Sequence, residues 1–217
     1  MSEPGTPSPF LTLITNPRLY FETRREQPRW MLLTLVLAAI TGALSSLTLR
    51  YMMQSPSYLA YVHTLTKAQA ARVASQAASV TPISAFAGVF VAVTLSAVFL
   101  WLIARIFSLA IEYRRVVFIM ASATVISVLG TLFDTIMTFL TGRYQTNFLS
   151  ISTLTGGTGR FGGIESALGL FLIGSLIIQT IGLAVFTRTS VRRSVWPVLV
   201  AYLLPPILSM IFYKPTP

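Results

Sequence analysis

Four arginines, Arg18, Arg24, Arg25 and Arg29, crowd the stretch Asn16–Trp30, which runs without a break into the uncharged segment Met31–Leu49. Roughly 20 uncharged, mainly apolar residues make enough helix to cross a bilayer. Lys and Arg beside a span hold that end on the cytoplasmic side. The first span is therefore predicted with its amino-terminal end inside, and each later loop takes its side from the number of crossings before it.

The composition agrees with lipid as the main solvent. Of the 217 residues 54% are hydrophobic and only 10% charged, where a soluble domain carries about 25% charged residues. The net charge of +10 does not make a nucleic-acid binder, because the 16 Lys and Arg are scattered between apolar runs and form no stripe. Positive-inside bias and attraction to anionic headgroups account for them. There is no cysteine, which excludes disulfides, thiolate catalysis and thiolate metal sites. His63 is the only histidine and the six acidic residues lie far apart, so neither metal nor cofactor is expected. Residues 1–15 read as a short arm with Glu3 as their only charge, and the first apolar run outlasts a signal-peptide core of 7–15 residues. An uncleaved first span is the expectation. Phe10, Leu13 and Ile14 have helical spacing and predict a short interfacial helix.

Read in order, residues 1–29 form a cytoplasmic segment. Five spans follow, at about 30–52, 82–111, 115–141, 164–187 and 195–213, with an external tail at 214–217. In the first span Ala38, Gly42 and Ser46 recur every four residues, a small-residue stripe that lets another helix approach closely. Gly88, Ala92 and Ser96 repeat the pattern in the second. Between them, Ser55-Pro56 is a helix start, with Tyr58, Tyr61, Val62, Leu65 and Val73 roughly on one face. That predicts an amphipathic external helix. Thr81-Pro82 reads as a second start, opening the second span. A short basic turn, Glu112 to Arg115 with Arg114 between them, makes spans two and three antiparallel neighbours.

Polar residues inside spans are expensive and are the candidates for function. Asp134 falls about 7–8 Å from the middle of span three at 1.5 Å per residue, towards the outside, with Arg50 and Arg143 on the same side to partner it. Gln179 is the strongly polar residue deep in span four, where interhelical hydrogen bonding is the default reading. Pro205-Pro206 in span five predicts a kink or break. Glu165 opens span four beside the positive end of its dipole. The segment Gly157–Gly162 spells G-x-G-x-x-G, but no strand precedes it, so it reads as loop glycine. Arg188, Arg192 and Arg193 mark a return to the cytoplasm. With Arg24, Arg25, Arg114 and Arg115 they form the basic cytoplasmic flank. Ten of the 16 Lys and Arg fall inside on this map, although the outer loops are longer. The fold class expected is an all-α integral membrane protein, a bundle of five transmembrane helices plus the amphipathic external helix, N-in and C-out.

Asn16-Pro17-Arg18 and Pro28 in the lead, five spans, the basic turn before span three, and the ending Gly182-Leu-Ala-Val-Phe-Thr-Arg188 resemble the Yip family. These are Rab-interacting, multi-pass membrane proteins. The resemblance implies a non-enzymatic role in membrane organisation, trafficking or export. Asn16–Tyr20 stands where the eukaryotic members' Asp-Leu-Tyr-Gly-Pro-like motif is expected, which favours the bacterial branch and its plasma membrane, with a eukaryotic endomembrane as the alternative, and argues against Rab binding.

Two functions compete. One is a scaffold or accessory subunit that works with membrane-protein partners or as a homo-oligomer in the bilayer. The other is a small transporter or channel subunit with a polar site around Asp134, Gln179 and Arg50. An intramembrane enzyme ranks third: there is no His-Glu-x-x-His, no Gly-x-Ser-x-Gly and no aspartate pair.

Overall fold

The computed structural model describes residues 8–26, 29–144, 148–150 and 169–212, with side chains as far as Pro205. Among these the chain is all-helical, apart from a single antiparallel bridge between Ser150 and Gly169. The helices are α1 (Pro9–Thr15), α2 (Pro17–Thr23), α3 (Trp30–Met52), α4 (Pro56–His63), α5 (Lys67–Ile106), α6 (Tyr113–Thr141), α7 (Leu170–Thr187) and α8 (Val191–Phe212). Among the described residues four of them, α3, α5, α6 and α7, are long and apolar enough to cross a membrane. The G-x-G-x-x-G segment and Glu165 lie outside the described residues.

The helix ends show why these elements begin and stop where they do. Pro9 and Pro17 open α1 and α2 at positions that need no amide donor. The Leu19 amide donates to Oδ1 of Asn16 at 3.1 Å, so the asparagine caps α2. Ser55 caps α4 in the same way through the Tyr58 amide.

Two expectations about this region need correction. The external helix does not run on from Ser55 through Val73. It stops at His63, and a new helix starts at Lys67. The restart is a capping box: the Thr66 amide donates to Oε1 of Gln69, and the Gln69 amide donates back to Oγ1 of Thr66. Nor does Pro82 begin a helix; it lies inside α5, which is unbroken from Lys67 to Ile106. An alanine-rich lead of strong helix formers, residues 68–78, carries the helix through it. The carbonyl of Ala78, whose partner amide Pro82 lacks, belongs to an exposed residue and can be met by solvent.

Likewise α8 continues through Pro205 and Pro206 without a break in the helix. Inside a membrane, neighbouring groups can take up the carbonyls that such prolines orphan. The second helix also ends five residues before the expected Ile111, at Ile106, in a Schellman turn. Ser108 takes φ +56, its amide donates to Arg105 O and the Leu109 amide donates to Ala104 O. Arg114 and Arg115 accordingly belong to the first turn of α6, not to the connection.

The chain forms two compact units, and α5, α6 and α7 each contribute residues to both. Unit 1 comprises residues 1–30, 94–123 and 174–217. Its core is aromatic: Phe21 and Phe118 are buried, and Tyr20, Phe21, Phe118 and Phe186 stack or meet edge to face with centroids 5.3–6.2 Å apart. The α5–α6 connection is stapled by two long-range bonds. Trp101 Nε1 donates to Ile111 O at 3.1 Å, and the Tyr113 hydroxyl donates to Thr94 O at 3.3 Å.

Unit 2 comprises residues 31–93 and 124–173. Here α3 and α5 pack at Gly42: a Cβ on that residue would lie 3.1 Å from the carbonyl oxygen of Pro82. A Cβ on Gly130 would lie 3.0 Å from the ring of Phe171. Tyr51 meets Phe139 edge to face.

Several hydroxyl side chains inside these helices are satisfied along their own backbone. Thr41, Ser122, Thr135 and Thr180 each donate at 2.8 Å to the carbonyl four residues back. The apolar ones face outward in numbers a soluble protein avoids. Met31, Leu32, Ile83, Leu95, Leu140 and Leu170 are each more than 60% exposed. Helices that stay apolar on their outer faces are membrane helices.

Candidate functional site

Of the polar residues expected to form an intramembrane site, Asp134 and Arg50 belong to unit 2 and Gln179 to unit 1. Asp134 is half-buried on α6 and accepts a hydrogen bond from the Phe148 amide at 3.0 Å. The carboxylate thereby ties down the chain that follows α6. No ion pair joins it to Arg50 or Arg143 among the described residues; both arginines are exposed. Gln179 donates through Nε2 to Oγ of Ser175, one turn back on α7. Each group thus has a hydrogen-bond partner, Asp134 the Phe148 amide and Gln179 the Ser175 hydroxyl.

The charge of Asp134 is felt at Tyr144, just beyond α6. Burial first, and the carboxylate second, push the Tyr144 phenol above its ordinary pKa of 10.0. A raised folded-state pKa means that the folded chain holds this proton more tightly than the unfolded one. The stability this contributes is complete below pH 10 and is lost as pH rises through the folded value. Thermal unfolding in detergent between pH 8 and 11.5 should show a smaller alkaline loss in Tyr144→Phe than in the wild type. Equal losses would mean that Tyr144 does not titrate as its surroundings require.

The basic flank is the more organised feature, and it is built in unit 1. Arg24 lies over the Tyr20 ring at 4.4 Å and Arg105 over Trp101 at 5.1 Å. Arg115 pairs with Glu112 at 3.3 Å and lies 5.9 Å from the Phe186 centroid. Arg114, Arg192 and Arg193 are exposed. At the α7–α8 turn Arg188 takes φ +53, and the Thr189 amide donates to Ala184 O, a second Schellman turn. Three hydroxyls lock that turn: Thr187 and Thr189 are 2.7 Å apart, and Thr189 and the fully buried Ser194 are 3.0 Å apart. Ser190 caps α8, accepting from the Arg193 amide.

A family model, the Yip1 domain, matches residues 11–213, nearly the whole chain. The chain belongs to the Yip1-domain family. No curated protein and no solved structure matches it. Yip1-domain proteins are membrane proteins of trafficking, not known for catalysis. In this member, among the described residues, no three of His, Asp and Glu converge as a metal site would require.

Sequence reasoning missed two close approaches in this Yip1 domain. Gly182 is as tight as any glycine here: a Cβ would sit 2.9 Å from Cζ of Phe21 and 3.0 Å from Cγ1 of Ile119. Gly130 is the other. Gly88, by contrast, is exposed, and a Cβ there would meet nothing within 4 Å. Its stripe with Ala92 and Ser96, both exposed, meets no helix among the described residues.

Proposed function

We propose that this Yip1-family protein is a non-enzymatic scaffold or accessory subunit of a membrane complex. It crosses the bilayer five times, with its amino terminus in the cytoplasm and its carboxyl terminus outside. Its home is the plasma membrane of a bacterium. The observation that carries the reading is how the amino-terminal lead is used. Asn16 caps α2, Tyr20 stacks on Phe118 at 5.9 Å and Phe21 is fully buried, so the lead is folded into unit 1. Residues placed where a Rab-binding motif is expected are thus engaged in the protein's own core, which favours a role away from Rab. Outward apolar faces on α3 and α5 offer contact to lipid and to other membrane helices.

The transporter reading is the weaker one, because Asp134 ties down a loop amide and Gln179 bonds within its own helix. Two measurements test the proposal. Gentle detergent extraction of the native protein is expected to bring a defined membrane partner with it. Reconstituted vesicles are expected to show no flux above protein-free ones; flux that Asp134→Asn alters would replace the scaffold with the transporter. Orientation is tested separately. The chain has no cysteine, so one placed within residues 157–163 reports cleanly. It should be labelled from outside the cell, and labelling only from the cytosol would invert the map.

A further inference from the structure

In unit 1 a crevice of about 450 Å³ opens between α2 and the α7–α8 turn, within the size range of small-ligand sites. Three guanidinium groups line it, those of Arg18, Arg25 and Arg188, against one carboxylate, Glu22. Arg18 is already paired with Glu22 at 2.9 Å. Neither Arg25 nor Arg188 makes an ion pair among the described residues, so two positive charges on the wall stay uncompensated. Val191, the first residue of α8, lines the same crevice, and the positive end of that 22-residue helix adds to the field. The locked turn fixes where Arg188 starts. The other wall is apolar: Ile181 and Val185 line it four residues apart on α7, and Ile177, one turn earlier, is half-exposed. A cationic mouth leading onto an apolar stripe has the layout of an anionic amphiphile.

We propose that this crevice binds an anionic phospholipid, its phosphate held by Arg25 and Arg188 and its acyl chain laid along Ile181 and Val185. Guanidinium groups suit phosphate because their planar forks can meet two of its oxygens. The apolar stripe separates a lipid phosphate from free phosphate, which would gain nothing from it. The inference goes beyond the scaffold reading and does not depend on it, since any membrane protein can hold a lipid.

Native mass spectrometry of the full chain in dodecyl maltoside tests the proposal, with dioleoyl phosphatidylglycerol, dioleoyl phosphatidylcholine and inorganic phosphate as probes. Phosphatidylglycerol should bind one to one, at least about tenfold more tightly than either other probe. Arg25→Gln with Arg188→Gln should weaken it about tenfold or more, the scale of losing charge-assisted hydrogen bonds. Arg192→Gln with Arg193→Gln, which leaves the lining unchanged, should alter it by less than about twofold. If the first double variant does not fold, each single variant should still weaken binding several-fold. Unchanged affinity in the folded Arg25 and Arg188 variants would overturn the site. Equal affinity for inorganic phosphate and phosphatidylglycerol would overturn the lipid.

Discussion

Phe21→Ala is expected to destabilise the protein by about 3–5 kcal/mol, the usual loss on truncating a buried aromatic ring. Phe21 is fully buried and meets Tyr20, Phe118 and Phe186 at centroid distances of 5.3–5.9 Å. With Tyr20, which stacks on Phe118, it fastens α2 to α6 and α7 in unit 1. Its loss should therefore show in two ways, of which the second is specific to this position. The midpoint of unfolding in detergent should fall, and proteolysis should cut within residues 16–30 at protease concentrations that leave the wild type intact. A variant that melted earlier while keeping those residues protected would show that the lead is held by something else.

Gly182→Ala carries the second large effect. A methyl group there would press against Cζ of Phe21 at 2.9 Å and Cγ1 of Ile119 at 3.0 Å. Overpacking of this kind costs about 1–3 kcal/mol, and more for valine. The ordinary gain from replacing a helical glycine by alanine, about 0.5–1 kcal/mol, works in the other direction and is smaller. Gly88→Ala supplies the contrast. With nothing within 4 Å of its new methyl group, it should be neutral or stabilising. The sharper test joins the two large predictions. Because Gly182 and Phe21 touch, their substitutions should not add. Gly182→Ala should cost much less in a Phe21→Ala background, where the ring it strikes is gone. Additive costs would mean that the strain lies against Ile119 or the backbone instead.

That contrast marks what can be read from the chain and what cannot. Gly42 and Gly88 sit in the same pattern of small residues four apart, yet one meets the Pro82 carbonyl and the other meets open space. The pattern says that a helix could approach; only the placement of a second helix says that one does. Gly130 and Gly182 belong to no such pattern, because their tightness comes from Phe171 and Phe21, far off in sequence. The bounds of α3 were legible because charges stand at both ends of an uncharged run. Ser55-Pro56 and Thr81-Pro82 look alike as starts, but the second is overruled by the Thr66–Gln69 box upstream, which launches a helix strong enough to absorb a proline. The basic flank was visible as a set of arginines. Its division into ring-stacked, ion-paired and crevice-lining members was not, because each depends on a neighbour from another helix or another turn.

The unbroken passage of α5 through Pro82 has a mechanical consequence. Forty residues at 1.5 Å each make a rod about 60 Å long, roughly twice the thickness of bilayer hydrocarbon. The uncharged stretch 83–104 is enough to fill the lipid. The 15 residues before Pro82, with Lys67 and Arg72 among them, add about 22 Å of the same unbroken helix beyond its contact with Gly42 of α3. A load applied at the Lys67 end is carried along this helix to the place where Pro82 meets Gly42.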